Sequence, residues 1–340
     1  MSAGIERYKR AFELSQMLAD KIEIAEYPIN MFEIFMRTKE LNVLVSSFSD
    51  YKVWASASGR NCPDELKDAK CYFDPDFRVY IIVYNEKKPK KRIRFSLAHE
   101  LGHIILEHLN DERTEIERGG LDNITYFAME GAANTFAGNF LAPPILIHER
   151  LSGQRFDIFD IARFFRLSKE AVRDYRIRDY KHWLSMSRSK YESRILKRCK
   201  DKMFPHICRN CSNISYGKNY LFCPVCGERS LSEYESEGLP MIKYEGIRLD
   251  KEGKALECPV CQNADISPDG EYCIICGNSL VNRCSSSTEE YESACPNVSP
   301  LAGNARYCPL CGSESTFFQR SILPNWETVA MIETDDEVPF

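Results

Sequence analysis

Long hydrophobic runs are missing from this chain of 340 residues. No stretch approaches the roughly 18–20 consecutive apolar residues of a membrane helix. Residues 1–30 hold neither an apolar run nor a small-residue cleavage pattern, so no secretory leader is expected. These absences predict a soluble, cytoplasmic protein with no membrane partner. Histidine is scarce, six in all, and only Cys62 and Cys71 of the 15 cysteines precede residue 199. Basic charge is sparse toward the C-terminus. Residues 227–311 carry 7 basic against 14 acidic groups, within a chain of net charge -5. An acidic half repels a phosphate backbone, which disfavours nonspecific nucleic-acid binding there. What is present is a 44% hydrophobic composition, enough for a real core, over a length that suits two or more domains.

The apolar spacing predicts helices over 4–20 and 29–39, strands over 42–48, 51–57 and 77–85, and a helix from 92 to about 109. A further helix is expected over 122–141, closed by Pro143 and Pro144, then two short ones over 157–165 and 168–178. That last pair resembles a helix-turn-helix in outline, but two helices that close a domain are the simpler reading. Near residue 196 the composition shifts toward cysteine, glycine and turn residues.

Half of the histidines fall in one short stretch, "AHELGHIILEH" at 98–108. His99-Glu100-Leu101-Gly102-His103 is H-E-x-x-H, which on a helix turns two imidazoles to one side, i and i+4. They can share one zinc, and Glu100 beside them can take a proton from an attacking water. The alternative is a partly exposed helix with satisfied histidines. A strand just upstream suits a zincin-type peptidase, which needs an edge for its peptide.

A catalytic zinc needs a third protein ligand. A metzincin would want glycine at 106 and histidine at 109, and this chain has Leu106 and Leu109. On a continuing helix His108 turns about 140° from His103, off the ligand face, and reads as a surface or packing residue. Glu130 on the second helix is the better candidate. The small Ala132 and Ala133 allow close helix approach, and Asn134, at i+4 from Glu130, can hold a ligand imidazole by its second nitrogen. Asp111, Glu112, Glu115 and Glu117 are rivals in a polar connection without apolar backing. His148 and Tyr126 are the candidates to stabilise an oxyanion.

"RFSLAHELGHIILEH" followed by "EGAANTFAGNFLAPP" resembles the ImmA/IrrE family of metallopeptidases, through Arg94 to Ala98 ahead of the first motif and Glu130, Ala133, Asn134, Phe136 and Ala137 in the second. The likeness covers about residues 1–195. It implies an α+β, thermolysin-type (gluzincin-like) zincin, with His99, His103 and Glu130 on zinc and Glu100 as general base. It also implies hydrolysis of helix-turn-helix transcriptional repressors. Gly138-Asn139 departs from the family's small apolar run, and only a local packing change is expected there.

The cysteine-rich part repeats C-x2-C-x11-C-x2-C at an offset of 50 residues, at 208–226 and 258–276. Without a secretion signal such spacing reads as zinc ligation. Cys208, Cys211, Cys223 and Cys226 form one site, and Cys258, Cys261, Cys273 and Cys276 a second. Cys308 and Cys311 lack a close upstream pair, but Cys284 and Cys295 would complete a third site through an enlarged first knuckle. One catalytic and two or three structural Zn2+ ions are therefore expected. Cys62, Cys71 and Cys199 remain as ordinary thiols, with Cys71 the one placed to mask a catalytic zinc.

The expected organisation is a metallopeptidase domain over 1–195, then small zinc ribbons. These lie at 196–230, 256–282 and 283–315, with a charged linker at 231–255 and a loosely held acidic tail at 316–340. Ribbons closed by four thiolates present surfaces and do not catalyse, and their acidity favours a protein partner. Only the first, with Lys200, Lys202, Arg209 and Lys218, could touch a phosphate backbone. The leading reading is a zinc endopeptidase with appended recognition or sensing modules. The alternative is a non-proteolytic adaptor that docks protein or nucleic acid through its ribbons. The intact Glu100 favours the enzyme.

Overall fold

The computed structural model describes residues 2–59, 62–116, 122–151, 153, 155–174, 177–186, 190–234, 241–287, 295–328 and 331–333. The architecture is mixed α+β, in two compact units, Met1–Met203 and Phe204–Pro339.

The first unit begins with α1 (Ser2–Lys21), α2 (Met31–Arg37), β1 (Val43–Ser47) and α3 (Phe48–Ala57). The expected strand over 51–57 is therefore a helix. Ser47 caps it by accepting the Asp50 N–H, and the buried pair is Tyr51 with Ala55, a spacing of four that one helix face provides and a strand does not. β2 (Ala69–Asp74) and β3 (Val79–Tyr84) follow. β3 is central, parallel to β1 and antiparallel to β2, so β2 is an edge. The Phe73 amide bonds the Thr114 carbonyl at 2.8 Å. By strand alternation the amides of Ala69 and Cys71 share that outward direction.

α4 (Lys90–Ile105) and α5 (Asn123–Leu141) pack against each other, and α1 packs on α5. A side chain at Gly102 would meet Phe136 Cδ1 at 3.1 Å and the Ala133 carbonyl at 3.2 Å, so glycine lets the two backbones touch. The Asn139 side chain donates to the Thr135 carbonyl, while the Asn139 backbone carbonyl accepts from the Gln16 side chain, a buried tie between α1 and α5. The remaining helices of this unit are α6 (Pro144–Leu151), α7 (Ile158–Phe164), α8 (Lys169–Asp174), α9 (Tyr180–Met186) and α10 (Lys190–Cys199). Arg94 reaches from α4 to the carbonyls of Phe165 and Arg166, at 2.7 and 2.9 Å, just past the end of α7. Helix ends leave such carbonyls without partners, and a guanidinium satisfies two at once. Burial lowers the Arg94 pKa to about 9, and Arg166 adds to the effect.

The second unit has β4 (Pro205–Cys208), β5 (Ile214–Tyr216), β6 (Leu231–Glu233), β7 (Met241–Lys243), a four-residue helix α11 (Thr316–Gln319) and β8 (Met331–Glu333). β4 lies between β5 and β6, and β7 pairs with β8. Two stretches are more firmly held than their composition suggests. Within 231–255, β6 completes the sheet of the first ribbon, and Tyr244 is buried with its hydroxyl on the Cys211 carbonyl at 2.8 Å. Within 316–340, Phe317 and Leu323 are buried, because Ser315 caps α11 and Asn282 accepts the Phe317 N–H. Residues 334–340 of the expected tail lie outside the described residues.

Candidate metal centres

α4 and α5 each present an i, i+4 pair toward the other: His99 with His103, and Glu130 with Asn134. His99 Nε2 and His103 Nε2 are 3.0 Å apart, and each stands 3.4 Å from a Glu130 carboxylate oxygen. Ligands at about 2.0–2.1 Å around a tetrahedral zinc stand roughly 3.3–3.4 Å from one another. The donor set and its spacing therefore fit that ion. Burial works against the charge on Glu130, but the two imidazoles hold its carboxyl well below the usual range. Burial likewise opposes a charge on His99, and Glu130, Glu100 and Asn134 together raise its pKa.

Both imidazoles are held from behind. His99 Nδ1 meets Asn134 Oδ1 at 2.8 Å. His103 Nδ1 meets His108 Nδ1 at 2.9 Å. The second contact corrects the reading of His108 as a surface or packing residue. α4 ends at Ile105, and Glu107 turns the chain with φ 57, so His108 folds back under His103 instead of continuing around a helix. Burial, and then the neighbouring His103, lower the His108 pKa to about 3, which keeps it neutral.

A cleft of about 640 Å³ opens on this group. Glu100 lines it and is buried, and Ala69, Lys70 and Cys71 of β2 and Tyr126 are also among the lining residues. His148 is not in that lining; it sits exposed on α6 beside the Tyr180 ring. The rival acids are engaged elsewhere, Asp111 with Arg78 at 3.3 Å and Glu115 with Lys70 at 2.8 Å. Glu112 is exposed, and Glu117 lies outside the described residues. Burial pushes the Cys71 thiol well up, and the Glu100 charge pushes it further. Cys71 lines the cleft but does not belong to the group of His99, His103 and Glu130. Cys62 and Cys199 point to the carbonyls of Pro63 and Ile24.

Three four-cysteine groups occupy the second unit: Cys208, Cys211, Cys223 and Cys226; Cys258, Cys261, Cys273 and Cys276; and Cys284, Cys295, Cys308 and Cys311. In each, the four sulfurs lie within 4.8 Å of one another. Closest contacts are 3.5 to 3.7 Å. A disulfide would need about 2.0 Å, whereas thiolates around zinc stand roughly 3.8 Å apart. Side-chain amides aim at the sulfurs, Asn278 at Cys276, Asn297 at Cys308 and Asn263 at Cys273. The groups fit zinc-ribbon-like sites with no open position.

Among the described residues no helix is long and apolar enough to cross a membrane. No curated protein matches the chain. A solved structure, a Mycobacterium tuberculosis transcriptional regulator, is similar at 18% identity and a TM-score of 0.31, over 61% of this chain and 59% of that one. The chain thus spans less than two thirds of that neighbour. Residues 61–177 match the family model Peptidase_M78, described as the IrrE N-terminal-like domain. His99, Glu100, His103, Glu130 and Asn134 all fall inside the matched residues, and over that stretch the chain is similar to the Peptidase_M78 family.

Proposed function

We propose that the chain is a zinc-dependent endopeptidase of the thermolysin-type zincin class, with its catalytic site in the first unit and closed structural zinc ribbons in the second. The observation that carries the reading is the convergence of His99, His103 and Glu130 beside the buried Glu100, in a cleft walled by an edge strand. His99, His103 and Glu130 would hold the ion. Zinc, when bound, supplies Lewis-acid polarisation of the water and of the scissile carbonyl. Glu100 accepts the proton of the attacking water and delivers it to the leaving amine. Asn134 and His108 fix the two imidazole rings so that Nε2 of each faces inward. The outward amides of Ala69 and Cys71 offer an extended peptide a backbone edge to lie along. Tyr126 is the cleft's candidate donor to the developing oxyanion.

The resemblance to ImmA/IrrE peptidases supports a helix-turn-helix transcriptional repressor as substrate and a cytoplasmic setting. The test is co-expression with such a repressor from a neighbouring gene, followed by mass spectrometry of the fragments. The wild type cuts the repressor; Glu100→Gln leaves it whole while retaining its zinc. An intact repressor beside zinc-loaded wild type would overturn the substrate, and equal cutting by Glu100→Gln would remove Glu100 from the chemistry.

A further inference from the structure

The second knuckles of the three ribbons align residue for residue, as "LFCPVCG" at 221–227, "EYCIICG" at 271–277 and "RYCPLCG" at 306–312. The first and third are paired with each other. The Pro224 carbonyl accepts from the amides of Arg306 and Tyr307 at 2.7 and 3.0 Å, and the Pro309 carbonyl accepts from Leu221 and Phe222 at 2.8 and 3.0 Å. The rings follow the same rule. A side chain at Gly227 would lie 2.9 Å from the Tyr307 ring, and one at Gly312 would lie 2.9 Å from the Phe222 ring. Each contact occurs twice, between corresponding residues in exchanged roles. That is the signature of an isologous, two-fold interface, here formed inside one chain.

The middle knuckle has the same chemistry and, among the described residues, no partner. Tyr272, Ile274 and Ile275 are 57%, 65% and 70% exposed, whereas Pro224 and Val225 are buried. Among the described residues nothing lies within 4 Å of a side chain placed at Gly277. Among the described residues no donor reaches the Ile274 carbonyl, and the amides of Glu271 and Tyr272 meet no acceptor. These are the positions that the other two knuckles use.

We propose that this face is the dimer contact of the protein: the middle ribbon pairs with the middle ribbon of a second copy, through the same two-fold arrangement. A self-complementary surface needs only itself as partner. Three knuckles in one chain leave one unmatched, and two chains complete the set. Charge permits the match, because Glu271 at the rim is paired with Arg283 at 2.5 Å and does not present a bare like charge to its symmetry mate. A stable interface buries about 1,000 Å² or more in total, and one knuckle offers an area at the low end. The dimer should therefore be weak and form as concentration rises.

The test is sedimentation equilibrium of the full chain, reduced and zinc-loaded, from micromolar to millimolar concentration. The wild type should pass from monomer to dimer. Ile274→Asp, at an exposed position, should keep its zinc and its fold by circular dichroism, and weaken the dimer at least tenfold. A wild type that stays monomeric throughout overturns the proposal, even if it captures some other protein. So does an Ile274→Asp chain that dimerises as the wild type does.

Discussion

Gly102→Ala tests whether helix contact sets the geometry of the metal group. The new methyl would stand 3.1 Å from Phe136 Cδ1, 3.2 Å from the Ala133 carbonyl oxygen and 3.3 Å from Ala133 Cα. Two of those atoms are backbone and cannot rotate away, so α4 and α5 must part by a few tenths of an ångström. Overpacking of this kind costs about 1–3 kcal/mol. Alanine is favoured over glycine in a helix interior by roughly 1 kcal/mol. The net loss is then about 0–2 kcal/mol, or up to roughly 4–8 °C in Tm for a unit of this size. Metal binding should suffer more than stability, because Ala133 adjoins Asn134 and lies one turn from Glu130. Separation lengthens the 2.8 Å contact from Asn134 to His99 and both 3.4 Å distances to Glu130. Zinc affinity of this site, measured by chelator competition, should fall at least about tenfold, near 1.4 kcal/mol. Melting can be followed by tryptophan fluorescence, since Trp54 and Trp183 lie in the first unit. A variant that melts higher and binds zinc as tightly as the wild type would refute the reasoning.

Glu130→Ala should lose the exchangeable zinc altogether, and Asn134→Ala should weaken it by about 10–100-fold; a structure of the loaded protein with an acid from 111–117 on the metal would sink that assignment. His108→Phe, which keeps a ring in the buried site but offers no nitrogen to His103, should weaken zinc binding about tenfold, with His108→Gln in between. Unchanged affinity in both variants would leave His108 a packing residue after all. Mild chelation should stop hydrolysis before it unfolds the second unit. The cleft site is open, whereas binding at four-thiolate sites is largely folding energy, on the order of 10 kcal/mol in small zinc domains. Metal analysis should then find one zinc lost early and two or three retained, and simultaneous loss of all of them would contradict the division.

Much of the geometry around the cleft was legible, because both helices write it in one short code. His99 shares a face with His103, and Glu130 with Asn134, by i, i+4 spacing alone. His108 was not legible, since its place depends on where α4 stops. Extending the helix to 109 turns its ring away, whereas the left-handed turn at Glu107 brings it back. β2 was missed for a related reason. Its six residues, "AKCYFD", alternate poorly and become a strand through pairing with β3. In the second unit the spacing of cysteines anticipated which sulfurs would cluster, the enlarged Cys284–Cys295 knuckle included. The pairing of the outer knuckles was invisible, because it links residues far apart in the chain through backbone atoms that every residue carries.

That pairing sets a problem of timing during synthesis. Pro309 enters the chain 85 residues after Pro224. At about 5–20 residues per second the first knuckle waits roughly 4–17 s for its partner to be made. The middle knuckle arrives sooner, 50 residues after the first, and carries the same hydrogen-bonding positions. The ribosome therefore offers the first knuckle its wrong mate before its right one. Any contact between first and middle must come apart on the time scale of translation, and a change that made knuckle contacts tighter would trap the misassembled chain rather than strengthen the finished one.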